Sequence, residues 1–350
     1  MPADLPDFDI RINGAALPHA ARSDIRSITV QEDVDALSMF AVELYNWDHE
    51  NRRVSWSDAS LFAVGNAVEL SLGYLDDLEK VMLAEITSLE PLFSADQPPL
   101  LTVRGYDYRH RLARGRRTRT FSKMKDSAIA SQVAREAGLR AQVADTKVAL
   151  VHVVQSNQTD LAFLQRRAQL IGFEVYVKDK VLYFRPPQNA AQAAAKLSLD
   201  GDITEFAPRL SALGQVGEVT VRGWDVKKKQ TFVGRAAVGQ ENATMGGRSS
   251  GPKTAKKAFG KTATADGRQS VQSKAEADQV ALGRFNEMAL TYIHGDVTCL
   301  GNPKLRAGTV VDIQGAGKTF SGAYYVTSVT HTVTHDGRYD TTLTVQRSAA

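Results

Sequence analysis

Gly65-Asn-Ala-Val-Glu-Leu-Ser-Leu-Gly73 and Gly308-Thr-Val-Val-Asp-Ile-Gln-Gly315 are two versions of one stretch. Each is a short alternating run of apolar and polar residues between glycines, the pattern of a half-buried β-strand. Downstream of the first copy come Ile86-Thr-Ser-Leu89 and Leu101-Thr-Val-Arg104. Downstream of the second come Val326-Thr-Ser-Val329 and Leu343-Thr-Val-Gln346. The matching segments lie 243, 240 and 242 residues apart. Self-similarity of this kind marks a repeated supersecondary unit. Three copies of a two-unit chain around one axis would present six similar β units.

Alternating runs continue around the first copy. Phe8–Ile12 ends at Asn13-Gly14, a hairpin turn pair. Ile28–Gln31, Phe40–Leu44, Val68–Leu72, Val81–Ile86 and Leu100–Arg104 follow, so residues 1–105 read as a first β-barrel domain. Residues 106–198 read as an α+β domain. Asp126–Gly138 has a helical apolar face at Ile129, Val133 and Ala137, with Asp126 or Ser127 available as cap. Thr159–Ile171 is a second helix, and Phe173–Val177 with Val181–Phe184 a hairpin. Strand character returns in 199–238 and 294–350, a discontinuous second barrel. Within 239–293, Gly239–Gln272 is poor in large apolar residues and reads as a mobile loop, and a helix follows from Lys274. The fold class is β-rich α+β: two related antiparallel β-barrel domains with an α+β insertion.

The 350 residues are 43% hydrophobic and 23% charged, ordinary for a globular chain with two or three cores. No apolar run approaches a membrane span, and the start shows no basic and apolar leader pattern. Cys299 is the single cysteine, so no intrachain disulfide forms, in keeping with assembly in a reducing cytoplasm. The net charge of +4 hides an asymmetry. Residues 1–100 hold 6 Lys/Arg against 18 Asp/Glu, and residues 101–200 hold 18 against 8. Arg109, Arg111, Arg114, Arg116, Arg117 and Arg119 crowd the segment from Arg104 to Lys125. This is a candidate basic interface facing the acidic first block between protomers. Phosphate binding is the rival, although no nucleic-acid motif accompanies the run.

Val153-Val-Gln-Ser-Asn-Gln-Thr-Asp-Leu-Ala-Phe-Leu-Gln-Arg-Arg-Ala-Gln-Leu-Ile-Gly172 resembles the signature of the phage late control gene D family. The matching positions are Gln155, Asn157, Thr159, Asp160, Phe163, Leu164, Arg166, Ala168 and Gly172. Gly301, Gly308, Gly322, Tyr324 and His331 match in the C-terminal part, and the resemblance spans roughly residues 8–348. The family comprises baseplate hubs of contractile tails and is similar to the N-terminal module of VgrG. The resemblance implies tube-forming barrels and a homotrimer that adapts a sixfold inner tube to a threefold spike, in contact with other baseplate proteins. It implies assembly in the bacterial cytoplasm within a phage tail-like particle. Because the chain stops at Ala350, the spike is expected to be a separate polypeptide.

Chemistry is sparse. Ile313-Gln-Gly-Ala-Gly-Lys-Thr319 looks like the end of a P-loop, but Asp312 stands where the first glycine belongs. His331 and His335 have helical zinc spacing but fall in a strand, where the rings would be roughly 13 Å apart. No triad is apparent, and Glu85 and Glu90 are the nearest thing to a carboxylate pair. The sequence therefore predicts a structural protein with no cofactor, metal or catalytic residue. A nucleic-acid-binding protein and a tail-associated wall-degrading enzyme are the alternatives.

Overall fold

The structure is a computed structural model that describes residues 5–75, 77–225, 228–266 and 271–350. The expected loop 239–272 thus lies partly outside the described residues. In the first unit, β1 (Pro6–Ile12), β2 (Ala15–Ala16) and a helical turn α1 (His19–Ser23) precede β3 (Ile25–Asp33). Then come β4 (Met39–Tyr45), β5 (Ala67–Tyr74), β6 (Asp77–Leu92) and β7 (Leu100–Tyr106). The middle module holds α2 (Arg109–Leu112), β8 (Arg117–Lys125), α3 (Asp126–Glu136) and β9 (Arg140–Val143). It ends with β10 (Ala149–Gln158), α4 (Asp160–Leu170), β11 (Glu174–Lys178) and β12 (Val181–Arg185). The rest begins with β13 (Ala195–Ser198), β14 (Ile203–Leu210), β15 (Glu218–Asp225) and β16 (Gln230–Ala237). It continues through α5 (Gly251–Phe259), β17 (Ala263–Asp266), α6 (Lys274–Leu290) and β18 (Ile293–Leu300). Last are β19 (Val310–Gln314), the turn α7 (Gly317–Phe320), β20 (Gly322–Thr334) and β21 (Arg338–Arg347).

The fold is β-rich, and the repeat is real in its hydrogen bonding. Strands run β3-β4-β7-β6-β5 in the first unit and β14-β18-β21-β20-β19 in the second. Gly65 N–H donates to Ile86 O at 2.8 Å, and Gly308 N–H to Val326 O at 2.8 Å. Both glycines have positive φ, 94° and 78°, where a side chain would be strained. Each unit has a β-bulge after these acceptors, between Ile86 and Ser88 and between Val326 and Ser328. The bulged Thr87 and Thr327 donate to Arg104 O and Thr344 O. A second bulge recurs between Ile25 and Ser27 and between Ile203 and Glu205. Two bulges at matching places fix the alignment, because a bulge changes which face every later residue occupies. It sets the last segment at 240 residues: Ser88 pairs with Arg104 as Ser328 pairs with Thr344. Leu343 therefore corresponds to Val103, two positions from the match the sequence suggests.

Two separate barrels are not what forms. Among the described residues, thirteen strands make one sheet, and the pairing closes neither unit on itself. The units join where β20, beyond its bulge, pairs with β3 from Ser328↔Asp33 to Thr334↔Ser27. Val333 and Tyr339 of the second unit enter the first unit's core beside Ile28, Leu70 and Val103.

The middle module has its own core around Ile129, Phe163, Leu164 and Phe184. Helix α4 is capped by Thr159, whose Oγ1 accepts from Ala162 N at 3.1 Å. Asp126 and Ser127 do not cap α3; Asp126 turns instead to Arg167. Strands β15 and β16, expected in the second barrel, form a small sheet with β17. It packs on α6 through Val219, Val221, Ala277 and Phe285. The polar stretch expected to be loop carries α5 and β17. Ser250 caps α5 by accepting from Lys253 N, and Pro252 starts it.

Candidate functional site

The residues of the 155–172 stretch form one cluster that ties the β8–β10 ribbon to α4. Gln155 is buried. Its Oε1 accepts from Arg119 Nε at 2.7 Å and its Nε2 donates to Asp160 Oδ1 at 2.9 Å. Arg119 also donates to Asp160 at 2.8 Å. Asn157 sits at φ 46°, its N–H donating to Thr118 Oγ1 and its carbonyl accepting from Arg116 at 2.9 Å. Phe163 stacks on Phe121 with centroids 5.6 Å apart, Leu164 is buried, and Arg166 is exposed. The neighbouring Arg167 does what the pattern does not reveal: it holds Asp126 with two bonds of 2.7 and 2.9 Å. Gly172 has φ 67°, and a Cβ there would lie 2.8 Å from Gly283 Cα of α6.

Most of the basic run meets its acids inside the chain. Arg109 is fully buried, donating to Asp107 at 2.8 Å, Ser38 Oγ at 2.8 Å and Asp33 O at 2.9 Å. Arg111 and His110 hold Glu85, Arg104 holds Glu90, and Lys125 holds Asp145. Arg117 and Arg119 share Glu136 and Asp160. Arg114 is exposed. Burial raises the Glu85 carboxyl, but hydrogen bonds from Arg111 and His110 outweigh it, so the net shift is downward. The hydrogen bond from Arg104 lowers Glu90. Two carboxylates held ionised by arginines do not form an acid–base pair.

The C-terminal positions also do structural work. His331 is fully buried. Its Nε2 lies 3.1 Å from Leu305 O, which can only accept, so Nε2 carries the proton. Nδ1 is then the acceptor, with the Tyr339 hydroxyl 3.0 Å and Thr341 Oγ1 3.1 Å away. Burial pushes the imidazole down to about 4, so the ring is neutral. A Cβ at Gly301 would lie 2.0 Å from the Tyr339 ring, and one at Gly322 2.7 Å from the Arg347 guanidinium. Tyr324 donates to Phe320 O at 2.8 Å. Arg306, between Gly301 and Gly308, reaches the first unit and holds both oxygens of Glu32, one bond measuring 2.8 Å. The P-loop-like segment carries only the single turn α7 before β20.

An open cleft of about 860 Å³ lies between the first unit, the middle module, the second unit and α6. Asp35, Gln165, Glu174, Asn286, Glu287 and Tyr325 line it. Burial raises Asp35, and burial pushes Glu174 up to about 7. No group of three or more His, Cys, Asp or Glu is placed to hold a metal among the described residues. No described helix is long and apolar enough to cross a membrane.

The Alg8 N-terminal domain family matches residues 2–335. The chain belongs to that family. The match is to the Alg8 N-terminal domain rather than to late control gene D, and the family name states no activity. None of the curated proteins matches the sequence. Among solved structures, the fold is similar to the 43 kDa tail protein of a Shewanella oneidensis prophage. The TM-score there is 0.70 at 13% identity, over 98% of each chain. A Neisseria meningitidis tail protein gives 0.70 at 12%, covering 98% of this chain and 96% of that one. An E. coli component of the type VI secretion system, itself described as similar to bacteriophage tail proteins, gives 0.63 at 15%. That match covers 97% of this chain and 77% of the other. At these identities the likeness is one of fold alone: the chain shares its architecture with phage tail proteins.

Proposed function

We propose that the chain is a structural baseplate hub, three copies of which adapt a sixfold inner tube to a threefold spike. The observation that carries this reading is the duplicated unit, repeated down to its bulges and its left-handed glycine. Two quasi-equivalent units per chain give six in a trimer, so one face can match a sixfold ring while the chain itself obeys threefold symmetry. The hub-like fold of the tail and type VI proteins supports it. So do the ion pairs that hold the two units and the middle module together, as a part that transmits force requires. The hub assembles in the bacterial cytoplasm with tube, spike and other baseplate proteins, and its work is mechanical rather than catalytic. The nucleic-acid alternative is weakened by the pairing of most of the basic run within the chain.

The test is native mass spectrometry and electron cryomicroscopy of the chain co-expressed with tube and spike proteins of the same particle. Three hub copies between a sixfold ring and a threefold spike are expected. A hexameric hub, or a hub absent from the axis, would overturn the assignment.

A further inference from the structure

The open cleft between the modules carries charge of one sign. Asp33 ends β3 and Asp35 follows it, Glu174 opens β11, and Glu287 sits on α6, so carboxylates reach the same space from three sides. None of the described residues lining the cleft is Lys, Arg or His. The chain neutralises these acids poorly. Glu287 has Arg284 at 3.2 Å, and Glu174 has only the neutral Tyr325 hydroxyl. Asp35 spends its N–H on Asp33, but its carboxylate takes no hydrogen bond or ion pair among the described residues. Burial first and then the Asp33 charge raise Asp35, with Glu287 adding and Arg109 opposing. Asp35 in turn adds to the burial that raises Glu174. Acids that repel one another across an open space favour a cation between them.

A second observation is independent of charge. Asn189, in the connection between β12 and β13, is only 6% exposed and lines the same cleft. Its carboxamide has no hydrogen bond among the described residues, and neither of its polar atoms is sealed from the cleft. A buried amide without partners is costly, and the only open side here is the cleft. A carboxamide offers a donor and an acceptor, which match the two polar groups of a peptide bond.

We propose that the cleft binds a peptide segment of a second protein, seating an arginine side chain among Asp35, Glu174 and Glu287 and a main-chain amide against Asn189. A metal ion is the poorer fit, because no three such acids converge to coordinate one among the described residues. A guanidinium reaches separated acceptors with five donors in a planar fork, as a single ammonium does not. The volume of about 860 Å³ falls within the roughly 300–1,000 Å³ of ligand clefts. The site goes beyond the hub reading and does not depend on it, since one chain holds every group in it.

The test is fluorescence anisotropy of a labelled peptide with blocked ends, Gly-Ser-Arg-Ser-Gly, titrated with the full chain at low salt and pH 8. That pH lies above the value of about 7 to which burial pushes Glu174. Saturable binding is expected, weaker with lysine in place of arginine. Citrulline, which keeps the shape and removes the charge, should cost about tenfold or more in affinity. Asp35→Asn should weaken the arginine peptide by a similar factor without changing the melting temperature appreciably, and Asn189→Ala should weaken it too. Glu205→Gln, on an exposed acid away from the cleft, should change nothing. Equal binding of the citrulline peptide, or equal loss in the Glu205 variant, would overturn the site. Spermidine binding as tightly as the peptide would make the ligand a free polycation and overturn the peptide assignment. Loss of peptide binding when the chain trimerises would place a second copy in the cleft and overturn a separate protein as occupant. None of these outcomes bears on whether the trimer joins tube to spike, so failure of the site leaves the hub reading standing.

Discussion

The hydroxyl of Tyr325 lies 2.6 and 2.7 Å from the two carboxylate oxygens of Glu174, joining the second β unit to the middle module in a buried contact. One hydroxyl has one proton to give. Both short contacts are satisfied when the carboxyl is itself protonated and donates back to the phenol. Burial favours that form, pushing Glu174 up to about 7 from an ordinary 4.5. Between those values the folded chain binds a proton that the unfolded chain does not, so stability falls as pH rises through the window. Glu174→Gln should remove this slope, gaining up to about 3 kcal/mol on the wild type between pH 5 and pH 8. Urea melts at the two pH values measure it. A difference independent of pH would show that the carboxyl is ionised throughout.

His331 should behave in the opposite sense. Its folded value of about 4 lies below the ordinary 6.5. The unfolded chain takes up the proton first, so stability is lost as pH falls from 6.5 towards 4. His331→Ala should abolish that dependence. It should also cost about 2–4 kcal/mol, because Leu305 O, Tyr339 and Thr341 lose a common partner in the core. Chemical denaturation of both proteins across this range checks the two effects together.

Arg306 and Glu32 latch the two β units, and their side chains are only 13% and 14% exposed. Arg306 also donates to the Lys80 carbonyl at 3.0 Å. Arg306→Ala should destabilise the chain by about 3 kcal/mol, as removal of one partner of a buried pair does. Arg306→Lys should not rescue it, since an ammonium cannot reproduce the bidentate fork. Equal stability of the Lys variant and wild type would mean that charge alone suffices.

Charge reversal within the basic run should separate its residues. Arg119→Glu faces Asp160, Glu136 and Gln155 and should destabilise the chain before any assembly, by about 2 kcal/mol or more. Arg114→Glu, on an exposed residue, should leave the monomer within about 0.5 kcal/mol of wild type. Thermal melts of the unassembled chain distinguish these outcomes from an interface effect, which would appear only on trimerisation.

Gly283 lies inside α6, where alanine ordinarily gains about 1 kcal/mol. Here a Cβ would stand 2.4 Å from the Ile171 carbonyl carbon. Gly283→Ala should therefore destabilise, by about 1–3 kcal/mol, and increase proteolysis between α4 and α6. A stabilised variant would show that the two helices can separate at little cost.

The repeat, the helices at 159–171 and from 274, the hairpin after Phe173 and the β-rich class were all legible in the sequence. They depend on alternation and helical spacing, whose effects are confined to a few neighbouring residues; the caps Thr159 and Ser273 that start two of the helices emerged only in the structure. Partner choice was not legible, because it is decided between residues far apart. Nothing local tells Arg119 that its acids are Glu136 and Asp160, or tells Arg306 that Glu32 waits 274 residues away. Nothing local assigns β15 and β16 to α6 rather than to the second unit, since an alternating strand suits any half-buried face. The 240-residue register was misplaced by two positions because a one-residue bulge has no signature in composition, only in pairing. The sequence by itself determined that two like β units exist. Only the tertiary structure decided that they share one continuous sheet, because strand order is chosen by long-range hydrogen bonding and by the cores that Val333 and Tyr339 complete.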